Sequence, residues 1–352
     1  MTLNRWLTHL NRVKNPLFNG MIIIPTILTV TLALEVAAQE DFSPIAPITY
    51  AESEPASEDE DLDIHLTYLQ SLQATFSNQT PYSNLNSSLK AGSEDDGAGD
   101  NVYYGTGIFG AGNQSGHEKN AALGYQALYS LTSGDNNVAM GYQALYSNTT
   151  GSENTGVGYG VLYNNTTGGN NIAMGYRAMN SNTTGSGSVG IGYEALYTAT
   201  TEGSLTAIGY QAAKANTSGT GTVAVGYQAL YSNTTGNNNT ASGYQALYSN
   251  TTGGQNTAIG YKSLYTNTTG DYNTAMGYQA LQQNTTGNNN TAFGYLALYA
   301  NTTGERNVAI GTTALKVNTT GMYNTAMGFY ALQQNTTGSR NTGLGYNNLN
   351  AN

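Results

Sequence analysis

The 352-residue sequence contains no cysteine, one tryptophan and three histidines. Without thiols, no disulfide framework, thiolate zinc site or iron–sulfur cluster can form. His9, His65 and His117 lie far apart in the chain, so no histidine-based metal or acid–base cluster is expected. Charge is scarce as well. Asp, Glu, Lys and Arg make up 9 % of the chain, against roughly 25 % in ordinary globular proteins. The net charge of −10 is confined to one region. Residues 39–100 hold 13 acidic residues and a single Lys, whereas residues 101–352 hold seven acids and seven bases. No basic stripe is available for nucleic acid. The acids of the C-terminal region, such as Glu153, Glu194 and Asp271, occur singly. A nucleophile needs a nearby base and an orienting group, so neither catalytic residues nor a bound metal or cofactor is expected.

What the chain does have begins with an export pattern. Arg5, Arg12 and Lys14 precede an apolar run over residues 21–34, and Val36, Ala37 and Ala38 follow it. A basic region, a short apolar core and a small-residue site make a secretory signal peptide over 1–38, with cleavage expected after Ala38. The run is short for a membrane span and is interrupted by Pro25. Residues 39–100 read as an acidic, disordered linker, with too little apolar surface to offset the cost of ordering. One short helix is expected within it, over 64–76. No Asp-x-Asp-x-Asp-Gly loop is present, so its acids are read as solvated spacer and not as a calcium site.

From residue 101 onward the chain repeats every 17 residues. A marker glycine recurs without insertion from Gly124 through Gly141, Gly158 and onward to Gly345. A fixed period this short predicts a solenoid in which each turn stacks on its neighbours. Residues 101–117 form a degenerate first turn that can cap the stack. Columns are counted here from the marker glycine as zero. Columns −3 to −1 combine a β-branched residue, Ala or Gly, and an aliphatic residue, which suits a short strand in a parallel ladder. Columns 0, +3 (Ala), +4 (Leu) and +7 (Asn) share one face at helical spacing. A short helical segment such as 227–233 is therefore the better local reading, and an extended one is the alternative. The two halves conflict, because helices pack 8–10 Å apart and ladder strands sit ~4.8 Å apart. The expected fold is a β-solenoid or β-roll of about 13–14 turns, with one parallel strand and one helical or extended segment per turn.

Within this frame, Leu at +4 and the aliphatic at −1 are expected in the core. Met140, Met174, Met276 and Met327 at −1 are read as core filler. Tyr at +1 is expected to pack against the turn. Tyr at +5, for example Tyr231, Tyr248 and Tyr265, gives way elsewhere to Lys and Gln and so reads as an exposed binding row. Asn at −4 and +7 are expected to form amide ladders. The Asn-Thr-Thr-Gly tetrapeptides supply the turn back to the strand.

The segments Asn256-Thr-Ala-Ile-Gly-Tyr261 and Asn273-Thr-Ala-Met-Gly-Tyr278 resemble the head repeats of YadA-type trimeric autotransporter adhesins. They also resemble arrays in bacterial surface and tail-fibre-like proteins. The resemblance covers about residues 101–352, with three more residues per turn than the adhesin heads and no heptad stalk. It implies an exported, bacterial cell-surface or secreted protein, adhesive or structural, that binds an extracellular glycan or protein surface. It also implies a homo-oligomer. A trimer would use the small column of Ala241, Ala258 and Ala275, and an end-to-end stack would use the last strand, 341–345. A tail-fibre-like receptor-binding module and an ice-binding solenoid are the alternatives. The strand Thr column that ice binding would use is broken by Val138, Ile172, Val189, Val223 and Val308.

Overall fold

The computed structural model describes residues 89–91, 101–110 and 116–348. The chain divides into two units, Met1–Gln70 and Ser71–Asn352, and every described residue belongs to the second. The signal peptide and the helix expected over 64–76 lie outside the described residues.

Sixteen three-residue strands, numbered β1 to β16 in chain order, form one sheet whose spatial order is the sequence order. From β2 (Val102–Tyr104) to β16 (Thr342–Leu344) every pairing is parallel and in register. Thr240, Ala241 and Ser242 of β10 (Thr240–Ser242), for instance, face Thr257, Ala258 and Ile259 one turn later. The repeat is thus a parallel β-solenoid of about 14 turns, each of 17 residues. At the N-terminal edge, β1 (Leu89–Ala91) pairs antiparallel with β2. The acidic segment therefore contributes a strand where only spacer was expected.

The expected helical segment does not form. After the marker glycine the chain makes consecutive turns in which columns +2 and +4 have positive φ, as at Gln228 (50°) and Leu230 (54°). An α-helix needs uninterrupted negative φ near −63°. Alternation turns successive peptide groups toward the coils before and after. Gln245 N–H donates to Tyr227 O (2.9 Å) of the preceding coil, while Leu247 N–H donates to Ser263 O (3.0 Å) of the following one. Ser249, Thr251 and Thr252 likewise donate to the following coil. This laddering lets the second half of each turn stack at the strand spacing, which a helix could not match. The cost is a left-handed backbone at non-glycine residues, which is sterically disfavoured.

The interior is narrow. Among the described residues its apolar filling comes mainly from Ala at −2, Ala at +3 and Leu at +4, and Ala241, Ala246 and Leu247 are all fully buried. Each −2 residue sits over Leu +4 of the preceding coil. A Cβ built on Gly156 would lie 3.5 Å from Leu145, and also 3.4 Å from Val161. Val161 is the one β-branched residue at +3, and a methyl at 156 would meet it at ordinary contact distance. Met179 replaces Leu at +4, and Gly190 stands above it, where a Cβ would come within 2.7 Å of the Met side chain. At this pair the longer Met side chain is matched by the missing methyl of Gly190, as close packing requires.

Three expectations about faces are corrected by this geometry. The −1 aliphatics point outward, and Met140, Met174, Met276 and Met327 are exposed, not core filler. In a three-residue strand −3 and −1 share one face and −2 takes the other, and the narrow interior accepts only the small residue. For the same reason the Ala column of Ala241, Ala258 and Ala275 is sealed inside the coil and cannot be a trimer face. Finally, Tyr at +1 is the exposed row, at about 40–50 % for most members, while Tyr231, Tyr248 and Tyr265 at +5 are half-buried.

Two buried amide ladders hold the coils in register. At −4, Asn137 donates Nδ2–H and backbone N–H to Asn120 Oδ1 (3.1 and 2.8 Å). At +7, Asn165 Nδ2 donates to Asn148 Oδ1 (2.7 Å). Both ladders converge on the +10 glycine, where Gly151 O accepts from Asn148 (2.8 Å) and Asn137 (2.9 Å). A Cβ on Gly151 would stand 2.3 Å from Gly168 O and 2.4 Å from Asn148 Oδ1, so only glycine fits. The marker glycines combine a similar approach to the next coil with φ near +130°, as at Gly226 (134°).

The first turn carries bulk where the array carries small residues. Tyr103 takes the −2 position and packs edge-on against Phe109 at 5.0 Å, and buried His117 lies 4.5 Å from Phe109 on its other contact. Asn101 begins the −4 ladder and donates to His117 O (2.9 Å). This aromatic cluster fills the core at the first turn.

Candidate interaction surfaces

Because each coil repeats the last, every outward column becomes a row along the solenoid. The most continuous is Tyr at +1. Eleven rings from Tyr125 to Tyr295 stack in sequence at 4.9–5.4 Å, with neighbouring planes within 17° of parallel. Thr312 interrupts the row, and Phe329 and Tyr346 resume it at 5.5 Å. On the other side of the marker glycine lies the −1 row, with Ile208, Val225, Ile259, Met276 and Ile310 exposed. The −3 row of Thr, Val and Ile flanks it in turn. None of the seven acids and seven bases of residues 101–352 falls in columns −3, −1 or +1.

Tyr at +5 forms two shorter stacks, Tyr129–Tyr146–Tyr163 at 5.0 Å and Tyr231–Tyr248–Tyr265 at 5.1 and 5.2 Å. The three residues singled out from the sequence are therefore brought together, but face to face. Their ring faces are spent on one another, and edges and hydroxyls are what remain for a ligand. Burial, then the neighbouring tyrosines, raises the Tyr248 hydroxyl above its ordinary pKa. Lys214 occupies the rung between Tyr197 and Tyr231 and lies 5.9 Å from each ring. It pairs with Glu194 at 2.7 Å. Desolvation pushes the Glu194 carboxyl up, but hydrogen bonds from Lys214 and Gln211 outweigh it and hold the carboxyl below its usual range. The hydrogen bond to Glu194 in turn raises Lys214.

A further pair of rows was read from the sequence only as a turn. Thr at +8 recurs from Thr132 to Thr336 in every coil, and +9 is Thr throughout except for Ser133 and Ser218. The +8 hydroxyls are fixed by donation to the next coil, as in Thr234 Oγ1 to Thr251 O and Thr251 Oγ1 to Thr268 O (both 3.0 Å). The +9 residues, such as Thr235 and Thr252, are exposed. The signal was present in the invariant Thr-Thr of Asn-Thr-Thr-Gly, whose second role, an outward hydroxyl array, was not drawn from it. Among the described residues, no group of three or more His, Asp or Glu side chains is placed to hold a metal ion.

Comparison with protein-family models, with curated proteins and with solved structures finds no match for this chain. What its geometry defines is a class, a parallel β-solenoid whose lateral rows are its chemistry.

Proposed function

We propose that the array is the rigid display segment of an exported, adhesin-like or structural fibre at the bacterial cell surface or outside the cell, and that its rows engage an extended glycan or protein surface. The observation that carries this reading is the eleven-rung Tyr row beside an uncharged aliphatic row. Side chains repeated at ~5 Å suit a ligand that is itself extended, and their weak contacts add through multivalency. The export pattern of residues 1–38 and the likeness of Asn256–Tyr261 to adhesin head repeats support the same reading. Immunolabelling of the producing cell with antibody against the array tests it. Label on intact cells, together with a mature N-terminus near Gln39, is expected. Label only after permeabilisation would overturn the proposal.

One observation favours a second reading. The +8/+9 Thr rows lack the interruptions that break the −3 column. A fixed hydroxyl lattice of this kind is the surface an ice-binding solenoid would need. Thermal hysteresis measured on the purified chain decides it, and loss of the effect in Thr252→Lys would place it on these rows.

A further inference from the structure

Among the described residues, the −1 and +1 rows, flanked by the −3 row, form an exposed and largely apolar face along the solenoid, with Arg177 and Lys262 lying against the Tyr176 and Tyr261 rings (5.3 and 5.5 Å) at its edge. Ile259, Met276 and Ile310 are each 37 % exposed, and Tyr261, Tyr278 and Tyr295 beside them 38–50 %. Taking roughly 150–250 Å² per aromatic side chain, and somewhat less per aliphatic, the two inner rows leave on the order of 1,500–2,000 Å² of apolar surface on one side of the molecule. Apolar patches on lone soluble proteins rarely exceed a few hundred Å². All charged residues of the array lie in other columns, among them Glu194 and Lys262 at +2, Lys214 and Lys316 at +5, and Asp271 and Arg306 in the return turn.

We propose that this face is a self-association surface, occupied by the same face of a second copy of the chain. Three arguments select that occupant. First, a stable interface needs about 800 Å² per partner, so overlap of about half the coils suffices. Second, the rows are ridges with a fixed repeat of ~4.8–5 Å, and only another copy is sure to present the same repeat. Ridges of one solenoid then seat between ridges of the other, as in dry sheet-on-sheet packing. Third, none of the columns of the face carries a charge, and the two cations against its Tyr edge, Arg177 and Lys262, are far fewer than the basic cluster that draws a surface to anionic lipid. The proposal does not depend on adhesion, because it rests on the face alone. It has a structural consequence. Since all coils are alike, two copies can pair at offsets of whole coils, and staggered pairs leave free face for a third. Assembly then runs to bundles of variable length instead of closing at one pair.

The chain has no cysteine, so single-cysteine variants of the full-length mature protein report on the face directly. Ser242 lies at −1 in a central coil, which meets a central coil of the partner in unstaggered pairs of either orientation, and Thr252 lies on the +9 row. Under mild oxidation at ~10 µM, a concentration that detects even micromolar association, Ser242→Cys should give disulfide-linked species from the unstaggered pairs, and Thr252→Cys far less. Sedimentation velocity should show species larger than a monomer. These should persist or grow as salt rises to ~1 M, where ion pairs are screened. Ile259→Lys with Met276→Lys should return the chain to monomer, and Thr252→Lys with Thr269→Lys should not. Unchanged circular dichroism in both double variants shows that folding is not the cause. A monomer at this concentration, equal capture at 242 and 252, association that survives the double Lys face variant, or a monomer that binds lipid vesicles instead, would each overturn the proposal.

Discussion

At the scale of single residues, the tightest constraint is the absent Cβ at +10. Gly253 and Gly254 are neighbours with opposite demands. A Cβ on Gly253 would lie 2.5 Å from Gly270 O and 2.6 Å from Asn250 Oδ1. On Gly254 the nearest atom would be Asn237 O at 3.2 Å. Gly253→Ala must therefore push two coils apart or break an amide rung, at a cost of about 2–4 kcal/mol by analogy with other strained or unsatisfied buried sites. Gly254→Ala should cost less than about 1 kcal/mol. Denaturant melts that rank the two equally would contradict the convergence of both ladders on the +10 carbonyl. Leu247 gives a second contrast. It fills the core, so Leu247→Asp loses packing and buries an unpaired carboxylate, for several kcal/mol. Gln245 is half-buried and bonds in a side-chain row to Gln228 at 3.0 Å. Gln245→Asp should be much the milder change in the same melt.

At the scale of the coil, the ladders fail together in one stretch, and the failure is coupled. Residue 199 is Ala at +7, where every other coil but the first (Leu131) has Asn, and residue 202 is Glu at +10, where the other coils have Gly. Asn182 Oδ1 is consequently buried without a partner. The −4 ladder is also replaced, by Ser188, Leu205 and Thr222, and the Thr222 hydroxyl is likewise unpartnered. The +10 Cβ and the +7 amide compete for one space, 2.3–2.6 Å apart in the regular coils, so Glu at 202 excludes Asn at 199. Ala199→Asn alone should therefore be neutral or destabilising. Combined with Glu202→Gly it should restore the rung and gain about 1 kcal/mol. A double-mutant cycle reads the coupling, and additive effects would refute the steric link. The same stretch carries the Glu194–Lys214 pair. Glu194 is held below its ordinary range, so its contribution is present above the unfolded carboxylate pKa and is lost as pH falls through the lowered folded value. Lys214 and Tyr248 are raised. Their contributions are intact below the unfolded pKa values and disappear as pH rises through the folded ones. Melts against pH should show a broad plateau, with an alkaline loss as Lys214 loses its proton and Tyr248 ionises within its stack. The pair is partly exposed, so salt should reduce its acid-side share.

At the scale of the whole molecule, much of the architecture was legible in the sequence and the orientation of its faces was not. The uninterrupted spacing of marker glycines implies stacked coils in register, and the Asn columns imply ladders, because one polar type kept at one place in every coil has a partner of its own kind above and below. Three residues of strand, however, give too short an alternation to say which side is inside. Ile259 and Met276 are hydrophobic enough for a core that is in fact too narrow to admit them. Leu247 and Ala246 satisfy a helical spacing, yet the ladder distance enforces an alternating backbone that no residue-level signal announces, since Leu and Gln are not residues that favour positive φ. The interchangeability of coils remains the strongest statement the fold makes, and it is open to a direct trial. Deleting residues 244–260 removes 17 residues and joins Gly243 to Tyr261, column zero to column +1. Every surviving coil then meets a neighbour in the register it had before. Because stability in such stacks is close to a sum over coils and their interfaces, the shortened chain should keep its circular dichroism per residue, its resistance to proteolysis and a nearly unchanged midpoint. Deleting residues 244–252 removes about half a coil, puts Asn256 in the place of Leu247, and so sets Leu columns against Asn columns from that point on. That variant should lose protection of the coils on one side of the junction. Equal tolerance of both deletions, read by hydrogen exchange along the array, would mean that register is not what holds the coils together.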